Sequence, residues 1–162
     1  MKKLLFLTTF LLSLNAHAQW SVKHIQADEL TGAIESCQYT YTTSTGVFQY
    51  DTNTNMYQIV TTDGIFNTER TSGYRGSSII IGLYSPEDKL LEKITMWLDT
   101  PEGYPHVLRT RYASTMSTPV GQKKKVAKIL NHLNQTTGYI RILAPLYGKP
   151  TLDLKVPHIS IE

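Results

Sequence analysis

The chain has 162 residues, with 16 Lys and Arg against 13 Asp and Glu. Two of the basic residues lie within residues 1–18, and the remaining 14 basic against 13 acidic residues leave a net charge near +1. This near neutrality argues against a nucleic-acid binder, which needs a strongly basic field. The length is typical of one domain whose hydrophobic core is large enough to be stable without disulfides.

Residues 1–18 have the pattern of a secretory signal peptide. Lys2 and Lys3 precede an apolar segment, residues 4–14, and the small-residue cleavage site Ala16-His17-Ala18 ends it. We therefore predict an exported protein, periplasmic or secreted, with a single β-rich domain over residues 19–162. The apolar segment is about half of the ~20 residues that a membrane span needs, so we expect no span after cleavage.

Short runs of alternating apolar and polar residues, rich in Tyr, Thr and β-branched side chains, follow the signal segment. This pattern favours strands, and the turn-forming residues between the runs favour hairpins. The predicted strands cover residues 20–25, 38–43, 47–50, 56–61, 79–84, 90–98 and 106–112.

One helix is predicted after these strands. Thr118 is a suitable N-cap, and Pro119 suits the first helical position. The spacing predicts a buried stripe of Val126, Ile129, Leu130 and Leu133. It predicts that Lys124, Lys125, Lys128 and His132 face away from the core. Two further strands are predicted at 139–144 and 152–156.

These elements define the predicted fold class. It is mainly β, an antiparallel β-sandwich or partly closed barrel of roughly eight to ten strands, with one helix near the C-terminus. We find no internal repeat, low-complexity tract or domain linker.

Local catalytic and metal-binding motifs are missing from the sequence. There is no Gly-x-Ser-x-Gly, His-Glu-x-x-His or Cys-x-x-Cys, and no histidine is spaced for zinc, so we expect no cofactor and no metal. Cys37 is the single cysteine and cannot form an intramolecular disulfide. We expect a buried, inert thiol. An intermolecular disulfide, a reactive thiol and a nucleophile pair with a histidine stay open.

Two basic surfaces are the candidate binding sites. The first is the helix face, and the second is the segment 67–78, which is predicted to be the longest loop. Their residues are Lys124, Lys125 and Lys128 on the helix, and Arg70, Tyr74 and Arg75 in the segment. Each could dock an acidic envelope protein or an anionic polymer, with an affinity that falls as salt rises. The alternatives are a solvated helix face and a mobile loop.

The order of features resembles that of small exported β-sandwich proteins, some associated with type VI secretion and others encoded by prophages. The features are Trp20, the segment 27–32, the helix near 126–133, the segment 139–145, Gly148 and the run 152–156. The resemblance implies an accessory or binding protein of the envelope and transfers no catalytic residue. The paired cysteines that are frequent in such proteins are reduced here to Cys37.

Three functions follow from these observations. The first is a non-enzymatic binding protein of the bacterial envelope. The second is a hydrolase acting on envelope polymers, which a cleft where His24 or His106 meets a carboxylate or Cys37 would favour. The third is an inhibitor or immunity-type protein, which needs a protruding, ordered loop.

Overall fold

The computed structural model describes residues 19–27, 29, 34–52, 56–71, 74–110, 120–135 and 137–159. Its strands are β1 Gln19–Ile25, β2 Ser36–Thr42, β3 Gly46–Asp51, β4 Met56–Thr61, β5 Glu69–Thr71, β6 Tyr74–Tyr84, β7 Leu90–Asp99, β8 Val107–Arg109, β9 Tyr139–Ala144 and β10 Leu152–Pro157. Its helix is α1, Val120–Gln135. The predicted signal peptide, the predicted cap residues Thr118 and Pro119 and most of the segment 27–32 lie outside the described residues.

One antiparallel sheet contains all of these strands. Its order is β1-β2-β3-β4-β8-β7-β6-β9-β10, and β5 pairs with β6. β10 also packs against β3 without pairing with it. At this contact Leu152 lies over Gly46, where an added Cβ would lie 3.4 Å from Leu152 Cδ1. The sheet therefore folds back on itself without closing. The prediction of a mainly β sandwich or open barrel with one helix near the C-terminus is confirmed.

The core has two parts of different composition. In the first, which we call the aromatic half (β1–β4), the inner face carries Trp20, Tyr39, Tyr41, Phe48, Tyr50 and Tyr57. In the second, which we call the aliphatic half (β6, β7, β9 and β10), it carries Ile79, Ile81, Leu83, Ile94, Leu98, Ile140, Ile142, Leu154 and Val156. The buried Tyr57 hydroxyl donates a hydrogen bond to Met96 Sδ, which links the two halves.

The predicted apolar stripe of α1 packs against the core, with Ile129 and Leu133 buried and Val126 and Leu130 half-buried. The prediction that His132 faces away was wrong, because this side chain is only 8% exposed. His132 follows Ile129 by three positions and therefore lies beside the stripe. Its Nε2–H donates to the carbonyls of Tyr84 at 3.0 Å and Tyr139 at 3.2 Å. It thus satisfies strand-end carbonyls next to the helix.

α1 also covers one edge of β7. This strand pairs with β6 along its length but with β8 at a single residue pair. Side chains of α1 reach carbonyls on the side away from β6. Gln122 Nε2 donates to Trp97 O at 3.1 Å, and Lys125 Nζ donates to Thr95 O at 2.7 Å. The helix lies where a neighbouring strand would lie, and its side chains blunt an open edge.

The segment 67–78 is not the loop that the sequence predicts. Glu69–Thr71 and the first residues of β6 form a hairpin, in which Arg70 lies opposite Arg75. The prediction was wrong because an exposed two-stranded hairpin buries little apolar surface and so lacks the alternating pattern. β8 is likewise shorter than the predicted strand 106–112, and residues 111–112 lie outside the described part of the chain.

Within the described ranges, no helix combines the length and the apolar character needed to cross a membrane.

Candidate functional site

Two of the three predicted helix lysines make contacts within the protein. Lys125 Nζ donates to the carbonyl of Thr95, and Lys128 Nζ lies 2.6 Å from a carboxylate oxygen of Glu92. Lys124 is exposed and has no recorded partner among the described residues. The first turn of α1 contains no acidic residue to balance the helix dipole. Lys125 and Lys128 thus help to hold α1 on β7.

Arg70 and Arg75 lie directly opposite each other on the β5–β6 hairpin, and both are exposed. We call these two residues the arginine pair. Arg75 Nε donates to Thr68 Oγ1 at 2.7 Å, and neither arginine has an acidic partner among the described residues. Like charges directly opposite on neighbouring strands destabilise a hairpin, by up to about 1 kcal/mol. Tyr74, the third predicted residue, begins β6 opposite Thr71.

The structure brings the single cysteine together with a histidine. Cys37 on β2 is paired in register with His24 on β1, and Cys37 Sγ lies 3.3 Å from His24 Nδ1. Cys37 is half-buried rather than fully buried, and its backbone N–H donates to Thr52 Oγ1 at 2.8 Å. The two side chains border a cavity of about 450 Å³, lined by His24, Ile25, Gln26, Glu35, Ser36, Cys37 and Thr52.

This contact has a chemical meaning. An imidazole nitrogen within reach of a thiol can accept its proton, and the thiolate is the reactive nucleophile. Catalytic cysteine–histidine pairs usually have a third group that orients the imidazole. Within the described part of the chain, no hydrogen bond is recorded for the other ring nitrogen of His24.

The structure also shows a row of polar side chains that the sequence did not identify. Thr40, Gln49, Gln58 and Arg109 are register partners on β2, β3, β4 and β8, and so lie side by side on the outer face. We call these four residues the polar row. Gln58 Nε2 donates to Gln49 Oε1, and Gln49 Nε2 donates to Thr40 Oγ1 at 3.3 Å. The bonds run in one direction and fix both amide groups.

A shallow cavity of about 200 Å³ lies over this row. Gln38 and Asp51 border it, and Gln38 Nε2 donates to Asp51 Oδ2 at 3.0 Å. The lining residues are Gln38, Gln49, Asp51, Met56, Tyr57, Gln58 and Arg109. Glutamines at outward positions of three predicted strands are the signal in the sequence. Their alignment depends on the strand register, which the sequence does not show.

Paired charges occupy the outer face of the aliphatic half. Arg141 Nε donates to Asp153 Oδ1 at 2.7 Å, and this hydrogen bond lowers the pKa of Asp153. The Tyr139 hydroxyl donates to Asp88 Oδ1 at 2.8 Å and, with Lys155 nearby, lowers the pKa of Asp88. Lys155 Nζ also lies 3.7 Å above the centre of the Tyr139 ring. The charged side chains on this face are therefore paired with one another within the protein.

Among the described residues, no three His, Cys, Asp or Glu side chains lie close enough together to hold a metal ion. Comparison of the chain with family models, with curated proteins and with solved structures finds no match. The resemblance to small exported β-sandwich proteins therefore stays a prediction.

Proposed function

We propose that this chain is an exported, non-enzymatic binding protein of the bacterial envelope, and that the arginine pair docks an acidic surface of a partner protein. The observation that supports this is the facing of Arg70 and Arg75 on an exposed hairpin without a recorded acidic partner. A carboxylate between the two guanidinium groups relieves their repulsion and accepts charge-assisted hydrogen bonds. Arginine is also enriched among residues that dominate binding energy.

The helix lysines support this function less well. Lys125 and Lys128 already bind Thr95 and Glu92, so a partner would have to break those contacts. Lys123 and Lys124 are exposed and serve as a matched control for the arginine pair.

The test is affinity capture from an envelope extract with the protein of residues 19–162, at low and at high salt. We expect a stoichiometric acidic protein to bind at low salt, and Arg70→Glu with Arg75→Glu to abolish its capture. High salt weakens the contact because exposed charges are screened. Lys123→Glu with Lys124→Glu makes the same charge change elsewhere and should leave capture in place.

Equal capture by the wild type and the arginine variant would remove the pair from this proposal. If the captured partner is an enzyme whose activity falls on stoichiometric addition of the protein, the binding function is of the inhibitor or immunity type.

A second candidate function, a cysteine-dependent hydrolase, is favoured by the contact between Cys37 Sγ and His24 Nδ1. In that reaction His24 takes the thiol proton, and the thiolate attacks a carbonyl carbon of an ester or amide. The leaving group takes the proton from His24, and water then hydrolyses the thioester.

Alkylation by iodoacetamide at pH 7 tests this second function, with Cys37→Ser as the blank. We expect the wild-type thiol to react several-fold faster than the thiol of His24→Ala if the imidazole activates it. Hydrolysis of p-nitrophenyl acetate should fall in the same order. Equal alkylation rates in the wild type and His24→Ala would reject the nucleophile pair.

A further inference from the structure

We infer that the cavity over the polar row is a second binding site, distinct from the arginine pair, and that it takes one sugar residue of an acidic, uronate-type saccharide. It lies on the outer face of the aromatic half, between Gln38 and Asp51 on one side and Arg109 on the other. The groups that line it match the hydroxyl groups and the single carboxylate of such a sugar.

The amides match its hydroxyl groups. Gln58 and Gln49 are held by the directional chain of hydrogen bonds that ends at Thr40 Oγ1. Gln58 Oε1 has no recorded donor among the described residues and is available to accept a hydrogen bond from a hydroxyl. Because these hydrogen bonds already fix the amides, a ligand does not have to order them. Preorganised groups bind with a smaller entropic cost.

Arg109 matches the carboxylate. It is exposed, it follows Gln58 in the row, and no acidic partner is recorded for it among the described residues. A guanidinium group binds a carboxylate through two parallel hydrogen bonds.

Asp51 limits the sugar residue inside the cavity to one that carries a single negative charge. Its carboxylate borders the same cavity and is bound by Gln38 Nε2. It can accept hydrogen bonds from hydroxyl groups, which polyglutamate lacks, and it repels a second anionic group inside the cavity, which disfavours phosphate-rich polymers. One carboxylate beside several hydroxyls is the pattern of a uronic acid.

Trp97 supplies an apolar surface on the same face of the sheet. It lies two residues before Asp99, which is the register partner of Arg109. The half-buried indole packs against Gly76, where an added Cβ would lie 2.6 Å from Trp97 Nε1. A flat aromatic group next to hydrogen-bonding side chains combines apolar contact area with polar recognition.

The size of the cavity sets the length of ligand that it holds. Its volume of about 200 Å³ is smaller than the roughly 300–1,000 Å³ of typical sites for drug-sized ligands. We therefore expect one sugar residue to occupy it, with neighbouring residues of the saccharide extending over the outer face towards Trp97.

Isothermal titration calorimetry of the protein of residues 19–162 with a galacturonic acid hexamer tests the inference. The fully methyl-esterified hexamer keeps the hydroxyls and removes the charges. We expect the acid to bind about tenfold or more tightly than the ester, because a charge-assisted hydrogen bond is lost. Arg109→Gln should weaken binding of the acid by the same factor, and Lys89→Gln, which removes one exposed charge in the turn between β6 and β7, should retain wild-type binding.

Three results would overturn the inference. These are no binding of either hexamer, equal weakening by Arg109→Gln and Lys89→Gln, or binding of a glutamate hexapeptide as tight as that of the acid hexamer. Titration of the Arg70→Glu, Arg75→Glu variant separates this site from the proposed function. Saccharide binding should persist in that variant, so either proposal can fail while the other holds.

Discussion

The two halves of the sheet differ in whether the charged side chains on their outer faces are paired. On the aliphatic half, Arg141 pairs with Asp153, and Lys155 lies between Asp88 and a tyrosine ring. On the aromatic half, amides bind one another along the polar row, and Arg109 at its end has no recorded acidic partner among the described residues.

This difference shows where binding should be sought. A charge that is paired within the molecule loses its partner when it binds something else, whereas an unpaired exposed charge has no such loss. The density of charged residues alone points to α1 and to the aliphatic half. The pairing of those charges points instead to the polar row and, within the aliphatic half, to the arginine pair, whose Arg75 lies near the start of β6.

The largest expected effect tests whether the aromatic half is a true core. Phe48 is fully buried, and its ring centre lies 5.5 Å from that of Tyr57 and 6.3 Å from that of Trp20. Phe48→Ala should lower the free energy of unfolding by about 3–5 kcal/mol, measured by urea denaturation. Val60→Ala, on the outer face of the neighbouring strand, should cost far less. A loss below about 1 kcal/mol for Phe48→Ala would contradict the aromatic core.

The next effect concerns the attachment of α1 to the aliphatic half. His132→Leu leaves the carbonyls of Tyr84 and Tyr139 without their donor and should cost about 1–3 kcal/mol in urea denaturation. His132→Gln keeps an N–H donor and should recover part of that loss. If the two variants are equally stable, the hydrogen bonds of His132 contribute little to the free energy of unfolding.

A smaller effect tests the paired charges through pH. Arg141 lowers the pKa of Asp153 in the folded state, so this carboxylate stabilises the fold above its unfolded pKa of about 3.9. The stabilisation is lost as pH falls through the lower folded pKa. The difference in unfolding free energy between wild type and Asp153→Asn should be at most about 1 kcal/mol at pH 7 and should shrink towards pH 2. In an Arg141→Gln background, most of the pH dependence of that difference should vanish.

The smallest effect has the opposite sign. Arg70→Gln removes one of two like charges facing each other on the hairpin, so we expect it to raise the unfolding free energy by a few tenths of a kcal/mol at low salt. High salt should erase the gain because it screens the repulsion. A destabilised variant would mean that the facing arginines are not in net repulsion.

Much of the fold could be predicted from local patterns. The alternation at 56–61 and 139–144 coincides with β4 and β9, and the spacing of Ile129 and Leu133 predicted the buried face of α1. These patterns succeed because each element buries one face, and the period of its apolar residues records that face.

The rest depended on contacts distant in sequence. His132 is polar, and only the nearby strand-end carbonyls explain its burial. The arginines could be named as binding residues, but their direct opposition required the hairpin register. Gln49, Gln58 and Arg109 come from separate strands, and nothing in the order of the chain places β8 beside β4. Candidate residues are thus easier to predict than the surface they form.

The pairing of β8 with β4 has a consequence for how the chain folds. Thr110 N donates to Tyr57 O, and Tyr57 N donates to Thr110 Oγ1, across 53 positions of sequence. β1 to β4 can pair through successive hairpins, but their aromatic face stays uncovered until the later strands arrive. Closing such long loops slows folding, and apolar surface exposed in the meantime promotes aggregation. We therefore expect slow refolding whose yield falls as protein concentration rises.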